Sequence, residues 1–149
     1  MGLTDILRGK VVGVDTTLFI YFIERNPTYV DIARAFFQLV DRGECKAITS
    51  VISLLEVLVV PFRNGDMDLV RQYNDILFDT EGLSTEWLTP VIAEEAARLR
   101  ASYTLRTPDS IQMATAIVQG ATIFITNDKQ LPSLPNLKKL MVDDLKGSQ

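Results

Sequence analysis

Short apolar runs alternate with longer stretches of helical spacing along the whole chain, and this alternation sets the class of fold before any single residue is weighed. The run 121–126 (ATIFIT) is apolar without interruption, the pattern of a strand covered on both faces. Segments 10–15 (KVVGVD), 46–49, 83–88 and 139–142 read as further strands, the third of them carrying the only tryptophan, Trp87. Between them lie helical segments. Residues 16–25 (TTLFIYFIER) are apolar all round and end before Asn26-Pro27, while 29–42 repeats Ile32, Ala35, Phe36, Leu39 and Val40 and stops at Gly43. Residues 50–62 are strongly apolar up to Arg63-Asn64-Gly65, and 68–78 is amphipathic. Pro90 opens a helix through Leu105 with Ile92, Ala96, Leu99 and Tyr103 as its inner stripe; Thr107-Pro108 restarts a helix to Gln119, closed by Gly120. Strands alternating with helices predict an α/β three-layer sandwich, a mostly parallel central sheet flanked by helices. In such sheets ligands gather at the carboxyl ends of the strands, near the topological switch point.

With 149 residues and no internal repeat or linker, the chain is expected to form one domain, 1–149. A chain of this size buries roughly 70% of its unfolded surface, enough for a real core. No apolar stretch reaches the ~20 residues a bilayer span needs, so no membrane association is expected. The opening Met1-Gly2-Leu3-Thr4-Asp5 lacks the regions of a signal peptide. The single cysteine, Cys45, excludes an internal disulfide and fits a reducing, cytoplasmic setting. Histidine is absent altogether. That removes every Ser-His-Asp or Cys-His arrangement and, with one cysteine, the nitrogen and sulfur zinc sites. Catalysis in such a chain rests on carboxylates, hydroxyls, lysine, arginine or a borrowed cofactor, and a bound metal must be a hard ion such as Mg²⁺ or Mn²⁺. The net charge of −4 argues weakly against a surface built around many phosphate contacts, although a local basic rim or a bound cation would offset it.

Of the 19 acidic residues, four stand at strand ends or on helices near strand–helix junctions. Asp15 ends the first strand and Asp128 follows the strand 121–126. Asp109 opens the helix TPDSIQMATA, and Glu56 sits among Leu54, Leu55, Val57, Leu58 and Val59. Each has an ordinary explanation: Asp15 and Asp128 as helix caps, Asp109 as a first-turn acid, and Glu56 as the end of a Ser53 capping box, if Ser50 is not the true cap. Taken together, they would all project to one rim of the sheet. A carboxylate such as Glu56, in apolar company, needs a partner, and a cation shared with the other three supplies one.

These same stretches resemble the PIN-domain family, most closely its single-domain VapC-like toxin nucleases. The resemblance runs in order through VGVDTTLFIYFIE, TSVISLLEVL, LRTPDSIQMATAIVQGA and TIFITND, nearly the whole chain. It implies that Asp15, Glu56, Asp109 and Asp128 hold one or two Mg²⁺ or Mn²⁺ ions, with Asp15 and Asp109 as direct ligands. It implies further that a hydroxyl or amide near the last acid, Thr126 or Asn127, supports them. The implied activity is endoribonucleolytic hydrolysis of RNA phosphodiester bonds to 5′-phosphate and 3′-hydroxyl ends, by the toxin of a toxin–antitoxin pair with a protein antitoxin. Arg106 and Lys129, beside two of the acids, either reach substrate phosphates or are solvated surface charge. The apolar segment 18–22 is core first and leaves room for a dimer face, in an expected homodimer, or for an inhibitory partner's groove.

Two other readings compete. In a phosphatase with Asp15 as nucleophile a second acid would stand two residues on, where this chain has Thr17; a receiver's acid pair after the first strand is equally missing. A PIN-like module that processes or binds RNA or protein with no toxin role keeps all four acids, and a cleavage assay with metal separates it.

Overall fold

The computed structural model describes residues 2–145. Of the expected domain 1–149 and of its opening segment, Met1 and residues 146–149 lie outside the described residues. Five strands, β1 (Val11–Val14), β2 (Lys46–Ser50), β3 (Leu83–Glu86), β4 (Ile123–Thr126) and β5 (Lys138–Met141), form one sheet in the order β3-β2-β1-β4-β5. Every neighbouring pair is parallel, so the sheet is wholly rather than mostly parallel. Among the described residues seven helices accompany it: α1 (Leu3–Leu7), α2 (Thr16–Ile23), α3 (Val30–Asp41), α4 (Val51–Asn64), α5 (Met67–Asp79), α6 (Pro90–Ser102) and α7 (Thr107–Val118), followed by a 3-10 turn at Val142–Leu145.

Alternation along the central strands divides the core in two. Val12 and Val14 of β1, with Ile123 and Ile125 of β4, join Leu18, Phe19, Phe36, Phe37 and Tyr73 beneath α2, α3 and α5. Phe124, between those two isoleucines, points the other way into Ile92, Leu99, Met113 and Ala116 of α6 and α7. β4 is buried at all four positions, as a strand between two helical layers must be. Gly13 has a packing reason: a Cβ there would meet the Ala116 Cβ at 2.6 Å and Phe124 Cδ1 at 2.8 Å, so α7 lies on β1 only because that position is bare.

The segment boundaries moved where local chemistry outweighs periodicity. Ser50 caps α4 by accepting the Ile52 N–H at 3.1 Å, which puts Ser53 inside the helix and removes the capping-box reading of Glu56. α4 continues to Asn64, and Gly65 ends it in the left-handed region at φ 67°. β3 stops at Glu86, leaving Trp87 outside the strand and 71% exposed. α6 ends at Ser102, so Tyr103 falls past the helix and only half-buried, while Ile92, Ala96 and Leu99 form the inner stripe. α1 has no counterpart among the expected elements. The apolar segment 18–22 offers no fully exposed large side chain, whereas α4 exposes Leu55, Val59, Val60 and Phe62.

Candidate active site

From β1 the chain runs out through β2 to β3 on one side, and β4 then returns to the other side of β1. The carboxyl ends of β1 and β4 are therefore the switch point, and Asp15 is the first residue beyond β1. Asp15 does what its ordinary explanation requires, capping α2 by accepting the Thr16 N–H on Oδ1 at 2.8 Å. It also does more. The pairing of Val14 with Ile125 sets Thr126 beside it, and the Thr126 hydroxyl donates to Asp15 Oδ2 at 2.6 Å. The same hydroxyl oxygen accepts the Asp128 N–H at 3.1 Å, and Asp128 Oδ1 accepts from the Gln130 N–H at 2.9 Å. One threonine thus ties the first acid to the backbone of the last. No helix follows Asp128, so a helix cap does not explain it.

Glu56 reaches the same end of the sheet from the second turn of α4, where its Oε1 accepts the Thr16 hydroxyl at 2.6 Å. Asp109 stands in the first turn of α7 with its side chain 14% exposed, and Arg106 Nε donates to its Oδ2 at 3.1 Å. The guanidinium is 75% exposed, so this pair is worth little to stability.

The four acids share one electrostatic neighbourhood. Burial pushes the Asp15 carboxyl above the usual carboxylate range; the Thr126 and Thr16 hydrogen bonds pull against it, and the charges of Asp109 and Glu56 add to the rise. Arg106 is raised by its hydrogen bond and charge interaction with Asp109, and Glu56 and Asp128 add to the effect. Among the described residues no group of three or more acidic, histidine or cysteine side chains is gathered closely enough to hold a metal ion. The donors are carboxylate oxygens, which suit a hard cation. Mg²⁺ takes only one or two carboxylates and keeps several waters, so an open rim is compatible with it.

Of the two supporting residues expected from the sequence, Thr126 bonds to the acids and Asn127 does not. Asn127 donates to the Tyr21 hydroxyl at 3.1 Å and accepts the Asp143 N–H at 3.1 Å, joining the end of β4 to α2 and the 3-10 turn. Lys129 is exposed, with no side-chain hydrogen bond to an acid. A third group of site residues was missed from the sequence: Thr16, Thr49, Ser53 and Gln112, all buried and hydrogen-bonded in a layer under Glu56. Their signal is faint: Thr49 and Ser53 stand in TSVIS, Gln112 in DSIQM, and Thr16 directly after Asp15.

The sequence profile of the PIN domain family matches residues 12–137. No curated protein sequence matches significantly. Solved structures share the fold at low identity. A crystal structure of VapBC2 from Rickettsia felis bound to a DNA fragment from their promoter is 15% identical over 88% of this chain and 98% of the other, with a TM-score of 0.68. A DNA-bound VapBC from Salmonella typhimurium is 17% identical over 89% and 98%, with a TM-score of 0.64. A toxin–antitoxin complex from Klebsiella pneumoniae is 23% identical over 85% and 94%, with a TM-score of 0.62.

Proposed function

The chain belongs to the PIN-domain family, and from that premise we propose that it is a divalent-metal-dependent endoribonuclease, the toxin of a toxin–antitoxin pair. The observation that carries this reading is the link of Asp15 to Asp128 through Thr126 at the switch point, with Glu56 and Asp109 acting electrostatically on Asp15. Asp15 and Asp109 are the proposed direct ligands of Mg²⁺ or Mn²⁺, with Glu56 and Asp128 completing or orienting the set. Bound there, the ion supplies the Lewis acidity that activates a water and offsets charge on the phosphodiester.

The chain's own groups have separate tasks. Thr126 and the Thr16 N–H hold both oxygens of Asp15, so its carboxylate is fixed before substrate arrives. Arg106 is the cation positioned to take a substrate phosphate, because its exposed guanidinium can leave Asp109 without stranding a buried charge. The toxin assignment draws on the fold shared with the VapBC and toxin–antitoxin structures and brings with it a protein antitoxin as partner.

The test is cleavage of a panel of structured and single-stranded RNAs by purified protein, with Mg²⁺, with Mn²⁺ and with chelator. Cleavage is expected only with metal, and Asp15→Asn and Asp109→Asn should each abolish it while circular dichroism stays native. Full activity in chelator, or in either variant, would remove the metal site from the reaction. Growth arrest on expression, relieved by the same substitutions, distinguishes a toxin from a processing enzyme.

A further inference from the structure

Beneath the acids lies a polar layer with no part so far in the chemistry. Thr16, Thr49, Ser50, Ser53 and Gln112 are all buried, and Gln112 is only 3% exposed. A buried carboxamide is tolerated when its donors and acceptor are matched, and here they are. Gln112 Nε2 donates to Ser53 Oγ at 2.8 Å and to Thr16 Oγ1 at 3.1 Å, while Oε1 accepts the Ser50 N–H at 3.4 Å. A backbone N–H can only donate, which decides the end of the amide that faces it.

Counting protons then constrains the hydroxyls. The Thr49 O–H goes to the Val14 carbonyl at 3.0 Å, which leaves the single Ser53 proton for its 2.9 Å contact with Thr49 or its 3.1 Å contact with Thr16. The amide of Gln112 already donates to both Ser53 and Thr16. Thr16 is left with one proton and a charged acceptor at 2.6 Å, Glu56 Oε1. A carboxylate carries no proton, so that bond runs from Thr16 to Glu56, and the Gln112 amide, donating to the same Thr16 oxygen, fixes where the hydroxyl sits. Asp109 and Gln112 lie three apart on α7, so one face of one helix brings a carboxylate to the rim and an amide beneath it.

We propose that Gln112 is a positioning residue for Glu56, acting through the Thr16 hydroxyl to hold the carboxylate in one orientation beside Asp15. The inference rests on the metal-site reading above, and Mn²⁺ binding separates the two. Free Mn²⁺ is counted by its solution electron paramagnetic resonance signal, for wild type, Gln112→Met, Thr16→Val, Thr16→Ser and Glu56→Gln, with melting in chelator as the check on folding. Methionine keeps the length of glutamine and removes the hydrogen bonds. Gln112→Met and Thr16→Val should each weaken Mn²⁺ binding about tenfold to a hundredfold, the usual range for groups that orient a ligand. Thr16→Ser, which keeps the hydroxyl, should bind like wild type, and Gln112→Met should add little in the Glu56→Gln background. Should Gln112→Met fail to fold, the valine and serine variants of Thr16 still read the same bond. Variants that melt lower but bind Mn²⁺ as wild type does would make the layer structural only and overturn the proposal. A wild type that binds no Mn²⁺ would instead overturn the metal site itself, and this inference with it.

Discussion

Asp15 sits under opposing demands. Its two oxygens accept the Thr126 hydroxyl and the Thr16 N–H, yet burial, with Asp109 and Glu56 nearby, raises its pKa. A carboxyl whose folded pKa is raised stabilises the fold fully below its unfolded value, near pH 4, and loses that contribution as pH rises through the folded pKa. In chelator near neutrality Asp15→Asn should therefore melt higher than wild type, by roughly 4 °C for each kcal/mol relieved in a chain of this size. The difference should shrink toward pH 4, where the native carboxyl is protonated too. Thermal melts across pH 4 to 8 check this, and a variant that melts lower throughout would mean the cap at α2 outweighs the charge. Cys45 is the opposite case, a residue with no task at the site. Burial, with Glu44 adding, pushes its thiol up to about 11, and it is 3% exposed. It should resist maleimide at pH 7 until the protein unfolds, and Cys45→Ser should leave cleavage unchanged. Rapid labelling of the native protein would contradict the burial.

At the scale of elements, the clearest dependence is of α7 on β1. α7 carries both Asp109 and Gln112, and its approach to the sheet requires the bare Cα of Gly13. Gly13→Ala forces apart Ala116 and Phe124, at a cost of about 1–3 kcal/mol. Urea denaturation should show that loss at an unchanged slope; equal stability would mean the helix repacks freely. Much of this architecture was legible in the sequence, because strands buried between two layers are short apolar runs and the helices carry clear stops. Boundaries were less so. α1 spans only five residues, too few to show a period, and β3 ends before Trp87 although the apolar pattern continues. The four acids of the proposed site drew notice because Asp15, Asp109 and Asp128 stand at a strand end or a helix start and Glu56 stands in apolar company. The layer under Glu56 left only a faint trace, since most of its bonds join positions 35 to 96 residues apart and Gln112 looks like any polar residue within a helix. Asn127 shows the converse limit: adjacency to Asp128 in sequence places it against Tyr21 and the 3-10 turn instead.

For the whole molecule, the site gathers negative charge in a chain of net charge −4, and the proposed substrate is a polyanion. Repulsion of that kind is tolerable if the native state is completed by a cation, which links folding to metal binding. A ligand that binds only the native state at a hundredfold excess over its dissociation constant adds about 2.7 kcal/mol. In a chain of this size that corresponds to roughly 10 °C in melting temperature. Excess Mg²⁺ or Mn²⁺ should therefore raise the melting temperature of the wild type well above its value in chelator. Asp109→Asn should lose most of that shift, since an amide is a poor ligand for a hard cation. For Asp15→Asn the order of stability should reverse between buffers, melting above wild type in chelator and below it with metal. Ca²⁺ at equal ionic strength separates specific binding from general screening, because a larger ion with other coordination demands should stabilise to a different extent, while screening would treat the three ions alike. If the acids serve only as caps and surface charge, every substitution lowers the melting temperature in both buffers and no divalent ion shifts it. That outcome would leave the PIN fold intact and take away its metal chemistry.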